Sequence, residues 1–233
     1  MRIDNHYMEV EMAQRRESGH PLTSHAATFL STEHWSLLSA RSLAWNESSN
    51  RVTVFLTTLS ASAVALALVA DASGFDSAFK IFALVLFPIV LFLGIATYIR
   101  LVQINLEDIY LVAAMNRLRH AYVDAAPEIR QYFTSGLHDD ETGIWTSYLL
   151  GRAQPRPRAQ FLATTPTVVA TLNSVIATAG SGALALQFKA SNIVVAAVCL
   201  IVFVFTWMGL FRFQTKAFSS AREAVPRYPS EEA

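Results

Sequence analysis

Cysteine occurs once in 233 residues, at Cys199. A lone thiol excludes a disulfide framework and any zinc site built from several cysteines. Charge is scarce as well: Asp, Glu, Lys and Arg make up 15% of the chain, against roughly 25% in soluble domains. The 18 basic and 18 acidic side chains cancel, so no bulk field selects nucleic acid or an acidic substrate. Motifs that carry chemistry are also missing. There is no G-x-S-x-G elbow, no H-E-x-x-H and no glycine-rich phosphate cradle. Together these absences exclude a nucleic-acid binder driven by basicity and most soluble enzymes. The expectation is a protein with no catalytic residues, no cofactor and no bound metal.

What the chain has in excess is apolar surface, 53% of its residues. Four stretches carry no charge: Val52–Ala70, Ile81–Ile99, Ala159–Phe188 and Ala190–Phe211. A helix needs about 20 such residues to cross a hydrocarbon core of ~30 Å. Backbone amides in lipid must pair within the segment, so isolated spans of this kind are helical. The second and fourth runs, IFALVLFPIVLFLGIATYI and IVVAAVCLIVFVFTWMGLF, are oily throughout, whereas the first and third carry Ser and Thr. None of the four contains Asp, Glu, Lys, Arg or His, which argues against a proton relay or ion-coupled transporter.

Basic residues orient the spans. The connections Asp71–Lys80 and Gln187–Asn192 hold one Lys each, Lys80 and Lys189, while the other 16 Lys and Arg lie outside them. The positive-inside rule then places both termini and the long middle segment in the cytoplasm, on a multi-pass plasma (inner) membrane protein. Residues 1–30 are polar and lack an apolar h-region, and read as a flexible cytoplasmic tail rather than a cleaved signal.

The first two helices outrun the bilayer. Ser31 and Thr32 are N-cap candidates, and neither Pro nor Gly interrupts Glu33–Ala70. After Arg100, the residues Leu101, Ile104, Asp108, Leu111, Met115 and Leu118 recur at steps of three and four, an apolar seam with one acid. Pro127 ends it. Phe79–Val123 would be about 67 Å of helix, of which about 30 Å is membrane. The seam needs a partner, either the Glu33–Asn50 helix of the same chain or a second copy; Asp108 either sets register or sits exposed beside an Arg. Beyond Pro127 come a short helix, a break at Ser135-Gly136, and an aromatic stretch with Trp145 and Tyr148. The basic link Gln154–Arg158 follows. The expected layout is a tail (1–30), a first hairpin with a stalk (31–126), a connector (127–163), a second hairpin (164–217) and a second tail (218–233).

His138-Asp139-Asp140-Glu141 is the densest set of metal-ligand types, but Asp139 or Asp140 serves equally as the N-cap of the Trp145 helix. Arg117, Arg119 and His120 form a basic cluster, suited to phosphate or simply to a solvated face. On the third span Thr167, Thr171, Ser174, Thr178 and Ser181 fall within about 80° of helical arc. Thr53, Thr57 and Ser60 share a face of the first. Such stripes either let helices approach closely or line a narrow aqueous path. Asn173 lies off the stripe, and its amide calls for a partner on another helix.

The layout of the first half, from about Thr32 to Tyr132 with Arg117-Leu118-Arg119-His120-Ala121-Tyr122 continuing the stalk, resembles the SLATT family. These are bacterial membrane modules associated with nucleotide-signalling defence and regarded as membrane-disrupting or pore-forming effectors. The second membrane pair, Thr164–Phe213, lies outside that layout. The resemblance implies no catalytic or ligand residue.

The expected fold is all-α, a polytopic four-helix transmembrane protein with two helices extended into a cytoplasmic helical stalk. The expected partners are the lipid bilayer, further copies of the chain as a homo-oligomer, and a cytoplasmic protein or small-molecule regulator, but no nucleic acid. The expected function is an oligomeric channel-like or membrane-effector assembly regulated through its cytoplasmic helices; the alternative is a non-conducting membrane scaffold or sensor that recruits a soluble partner.

Overall fold

The computed structural model describes residues 24–150, 164–222 and 226–230, and among them there is no strand. Five α-helices follow in order: α1 (Ser24–Ser73), α2 (Ser77–Ala125), α3 (Glu141–Leu149), α4 (Thr165–Gln187) and α5 (Asn192–Arg222). A 3-10 turn at Pro127–Tyr132 separates α2 from α3. Four of these helices, all but α3, are long and apolar enough to cross a membrane.

Helix α1 begins seven residues before the Ser31–Thr32 cap expected from the sequence, so residues 24–30 are helical rather than part of a flexible tail. The reason is local. Ala26, Ala27, Phe29 and Leu30 favour helix, and the Thr32 hydroxyl bonds back to the Thr28 carbonyl (2.9 Å) instead of capping a new start. The rest of the 1–30 tail, the basic link and part of the C-terminal tail lie outside the described residues. At the other end, Gly74 (φ 63°) and Phe75 (φ 63°) reverse the chain in the left-handed region, and Gly74 N–H closes on the Ala70 carbonyl at 2.8 Å. Helix α2 runs unbroken through Pro88 and stops at Ala125, immediately before Ala126-Pro127.

The chain forms two compact units, and α1 and α2 contribute to both. The apolar unit takes α1 from Ser42, α2 up to Asp108, and helices α4 and α5. Its core is Phe55, Val90, Tyr98, Leu101, Val102, Val169, Ala170 and Ile176. Polar ties join helices at one end of it. The Tyr98 hydroxyl donates to the Leu210 carbonyl (2.5 Å), Gln214 Nε2 to Thr164 Oγ1 (3.3 Å), and Thr167 Oγ1 to Gln214 Oε1 (3.4 Å). Arg100 grips Glu47 of α1 through Nε and Nη2, both at 2.8 Å, and Glu107 through Nη1 at 2.7 Å. Hydrogen bonds from Arg100, then Arg51, hold Glu47 down to about 2. These groups remain open to water, so the pair contributes little. Glu47→Gln and Arg100→Gln are each expected to lower the melting temperature of the detergent-solubilised protein slightly. The double variant should lose less than the sum, and high salt should shrink the difference.

The polar unit takes the described residues of α1 up to Arg41, α2 from Ile109, the connector with α3, and residues 226–230. Val112, Ala113, Met115 and Val123 are its buried apolar residues. Of the seam positions, Leu101, Ile104 and Met115 are buried within the chain, and Asp108, Leu111 and Leu118 are half-buried.

Candidate functional site

The densest polar construction lies in the polar unit, around the turn His138-Asp139-Asp140. Pro127 stops α2, and Gly136 with Gly143 lets two backbone strands meet. A Cβ on Gly143 would fall 2.0 Å from the His138 carbonyl oxygen, and one on Gly136 would fall 2.1 Å from the Gly143 oxygen. Both contacts are with backbone, which cannot swing aside. Of the two caps the sequence offers, Asp140 is the N-cap of α3: it sits in extended geometry and Oδ1 accepts from Gly143 N–H at 2.8 Å.

Asn116 of α2 ties the turn down. Its Nδ2 donates to the His138 carbonyl (2.7 Å), while Oδ1 accepts from the Ser147 hydroxyl and from Arg119 Nη1, each at 2.7 Å. Ser147 Oγ in turn accepts from Gly136 N–H at 3.0 Å. Asn116 is fully buried, and every one of these bonds is internal. Arg117 Nε reaches Asp139 Oδ2 at 2.5 Å.

The same carboxylates hold the C-terminal segment. Asp139 accepts from Arg227 N–H (2.9 Å) and Tyr228 N–H (2.7 Å), and Asp140 Oδ2 accepts from Ser230 N–H (2.6 Å) and from its hydroxyl. The Tyr228 ring stacks on His120 with centroids 4.3 Å apart, and His120 meets His138 edge-on at 5.7 Å. Burial raises both carboxyl pKa values. Arg117 and the backbone donors more than reverse this at Asp139, and the Ser230 and Gly143 donors do so at Asp140, so each ends below the usual range. On the neighbouring surface His34 lies parallel to the Tyr122 ring at 6.0 Å, and its pKa is lowered by burial and then by Arg119.

The basic cluster, suited from sequence either to phosphate or to a solvated face, is engaged internally: Arg117 holds Asp139, Arg119 bonds Asn116, and His120 carries Tyr228. Burial, then the charge of Arg41, lowers the Arg119 pKa. Among the described residues no three His, Cys, Asp or Glu side chains converge as a metal would require.

The hydroxyl stripes divide. On α4 Thr167 and Ser174 are buried, and Thr171, Thr178 and Ser181 are half-buried. Thr171, Ser174, Thr178 and Ser181 donate to carbonyls of their own helix, at Thr167, Ala170, Ser174 and Thr178, over 2.7–3.0 Å. On α1 Thr53, Thr57 and Ser60 are all exposed. Asn173 corrects the sequence reading. It is fully buried, yet neither Oδ1 nor Nδ2 has a partner. Its amide fits instead over Gly94 of α2, where a Cβ would come within 1.9 Å of Oδ1. An apolar cleft of about 720 Å³ in the same unit is lined by Phe79, Phe87, Ile176, Gly180 and Leu184, with Lys80 also on its wall.

Arg227, Tyr228 and Ser230 were not among the expected site residues; the one sequence signal for them is an aromatic between two prolines close to the last residue. No family model, curated protein or solved structure matches the chain.

Proposed function

We propose that the chain is an oligomeric, channel-like membrane assembly, with the polar unit cytoplasmic and acting on it as regulator. The observation that carries this reading is the exposed Thr53–Thr57–Ser60 face of α1. Helices in lipid gain nothing from burying apolar surface against each other, and associate through small and hydroxyl-bearing faces. The α4 stripe is buried or half-buried within its unit, whereas the α1 stripe is exposed, although Thr53 also bonds back to the Ser49 carbonyl at 2.9 Å. The α1 stripe is the face left for a second copy, and repeated about an axis it would line a narrow, uncharged path.

A second observation favours the non-conducting reading. Trp35 is 67% exposed and Leu38 44%, and Trp35 precedes Val52 by about 25 Å of helix. That is farther than the headgroup layer reaches, so these side chains face water, where exposed apolar surface marks a partner site.

The mass of the detergent-solubilised particle, followed by solute release from liposomes, separates the two. The expected result is a particle of several copies that releases small solutes, with release falling at least about tenfold in Thr57→Leu/Ser60→Leu, as loss of a polar lining demands. A monomer, or an oligomer that passes nothing, would overturn conduction in favour of the scaffold.

A further inference from the structure

Residues 226–230 have no regular structure of their own, and their three backbone N–H groups go to a single turn. Amide N–H groups are offered at 227, 228 and 230, and each lands on Asp139 or Asp140. The prolines at 226 and 229 have no N–H to offer. Asp139 N–H returns a bond to the Tyr228 carbonyl at 3.3 Å, so Tyr228 is paired in both directions.

The turn that receives the segment is also held from the rest of its unit. Asp140 is positioned by capping α3, Asp139 by Arg117, and His138 by Asn116. The Gly136–Gly143 contact sets the shape of the bend. Stripped of residues 226–230, this surface would present two carboxylates against one guanidinium, with the His120 ring beside them. Its unfilled acceptors match a chain that supplies amide donors and an aromatic side chain, one mode in which peptides are captured.

The geometry points to a peptide-recognition site at the His138–Asp140 turn, one that takes an extended segment of Arg-Tyr-Pro-Ser type, with residues 226–230 as its displaceable internal occupant. This holds whether or not the membrane assembly conducts. The same segment from a second copy, or a free peptide of that chemistry, would fill the turn and free the tail that follows α5.

Full-length protein in detergent and a fluorescently labelled peptide of residues 224–233 (AVPRYPSEEA) test it by anisotropy. In the natural chain the tethered segment competes at an effective concentration on the order of millimolar, so the labelled peptide binds weakly. In Tyr228→Ala/Ser230→Glu the tethered copy loses its ring and sets a carboxylate against Asp140. The labelled peptide should then bind at least about tenfold more tightly. Adding Asp139→Asn, which leaves one acceptor oxygen where the Arg227 and Tyr228 N–H groups use two, should reduce the gain, and a peptide with Ala in place of its Tyr should not bind. No gain in a double variant that keeps its helix content would overturn the proposal. So would loss of the native helix signal in that variant, because a displaceable occupant cannot be needed for folding. Should Asp139→Asn itself unfold, the two peptides decide: equal binding of both overturns the site.

Discussion

Asp139→Ala is expected to loosen the polar unit by about 2–3 kcal/mol. The change removes the acceptor of three donors at once, Arg117 Nε and the N–H groups of Arg227 and Tyr228. Breaking a buried ion pair costs about 3–5 kcal/mol, chiefly through the partner left behind. Here the Asp139 side chain is fully covered but Arg117 is 46% exposed, so water recovers part of the loss and the effect falls at the low end or below. Asp139→Asn keeps an oxygen for the amides and should lose less. Hydrogen exchange across residues 109–150 and tryptic cleavage after Arg227 read the opening directly; unchanged protection of both in Asp139→Ala would contradict the assignment.

The same groups give the polar unit a pH dependence with a definite sign. The native pKa values of Asp139 and Asp140 lie below the ordinary one. Their stabilisation is therefore complete above about 3.9, the ordinary Asp value, and is lost as pH falls through the lower native values. His34 acts at higher pH. Its native pKa is also lowered, so the unfolded chain takes up the proton first, and stability begins to fall once pH drops below about 6.5. Acid titration of amide protection should show two steps. His34→Gln should delete the upper one and leave the lower intact.

The four long helices were legible because each rests on an uncharged run of membrane length, and composition alone dictates internally paired backbone there. The end of α2 was legible because Pro127 is a local signal, and the cap of α3 was narrowed to Asp139 or Asp140, of which Asp140 serves. The start of α1 was misplaced at Ser31 because Ser and Thr read as caps from sequence, while their hydroxyls can equally bond back within a helix. The contact of residues 226–230 with the His138–Asp140 turn could not be read. Arg117, Asp139 and Tyr228 are separated by 22 and 89 positions, and no periodicity links a helix face, a turn and a proline-flanked tail. Arg117 and Asp139 were visible singly, in a basic cluster and an acidic run, with nothing to say that one neutralises the other, and Tyr228 carried no such signal. Packing and pore lining both stayed open for the two hydroxyl stripes, since wheel angle does not tell which face a neighbour covers. Neighbours account for Asn173 and Ser174 both being fully buried although they are about 100° apart.

Gly94→Ala is expected to destabilise the apolar unit by about 1–3 kcal/mol, the usual cost of an overpacked core, and Gly94→Leu to cost more. An added Cβ would lie 1.9 Å from Asn173 Oδ1 and 2.8 Å from Phe55 Cε2, so α2 and α4 could not keep their approach. The amide in that notch is itself costly, because neither of its polar atoms has a partner. An unpartnered buried amide costs about 1–3 kcal/mol in mutational series. Asn173→Ala would relieve that cost while losing the packing of the side chain, so its net effect should be small. It would also clear the space into which a methyl at position 94 must go. Gly94→Ala/Asn173→Ala should therefore be more stable than Gly94→Ala alone, with a coupling of about 1–2 kcal/mol, as expected of residues in direct contact. Thermal melting of the four proteins in one detergent measures it. Additive losses, or an Asn173→Ala loss as large as that of Gly94→Ala, would mean that the Asn173 amide is held by a favourable contact and that the notch at Gly94 does not exist for it.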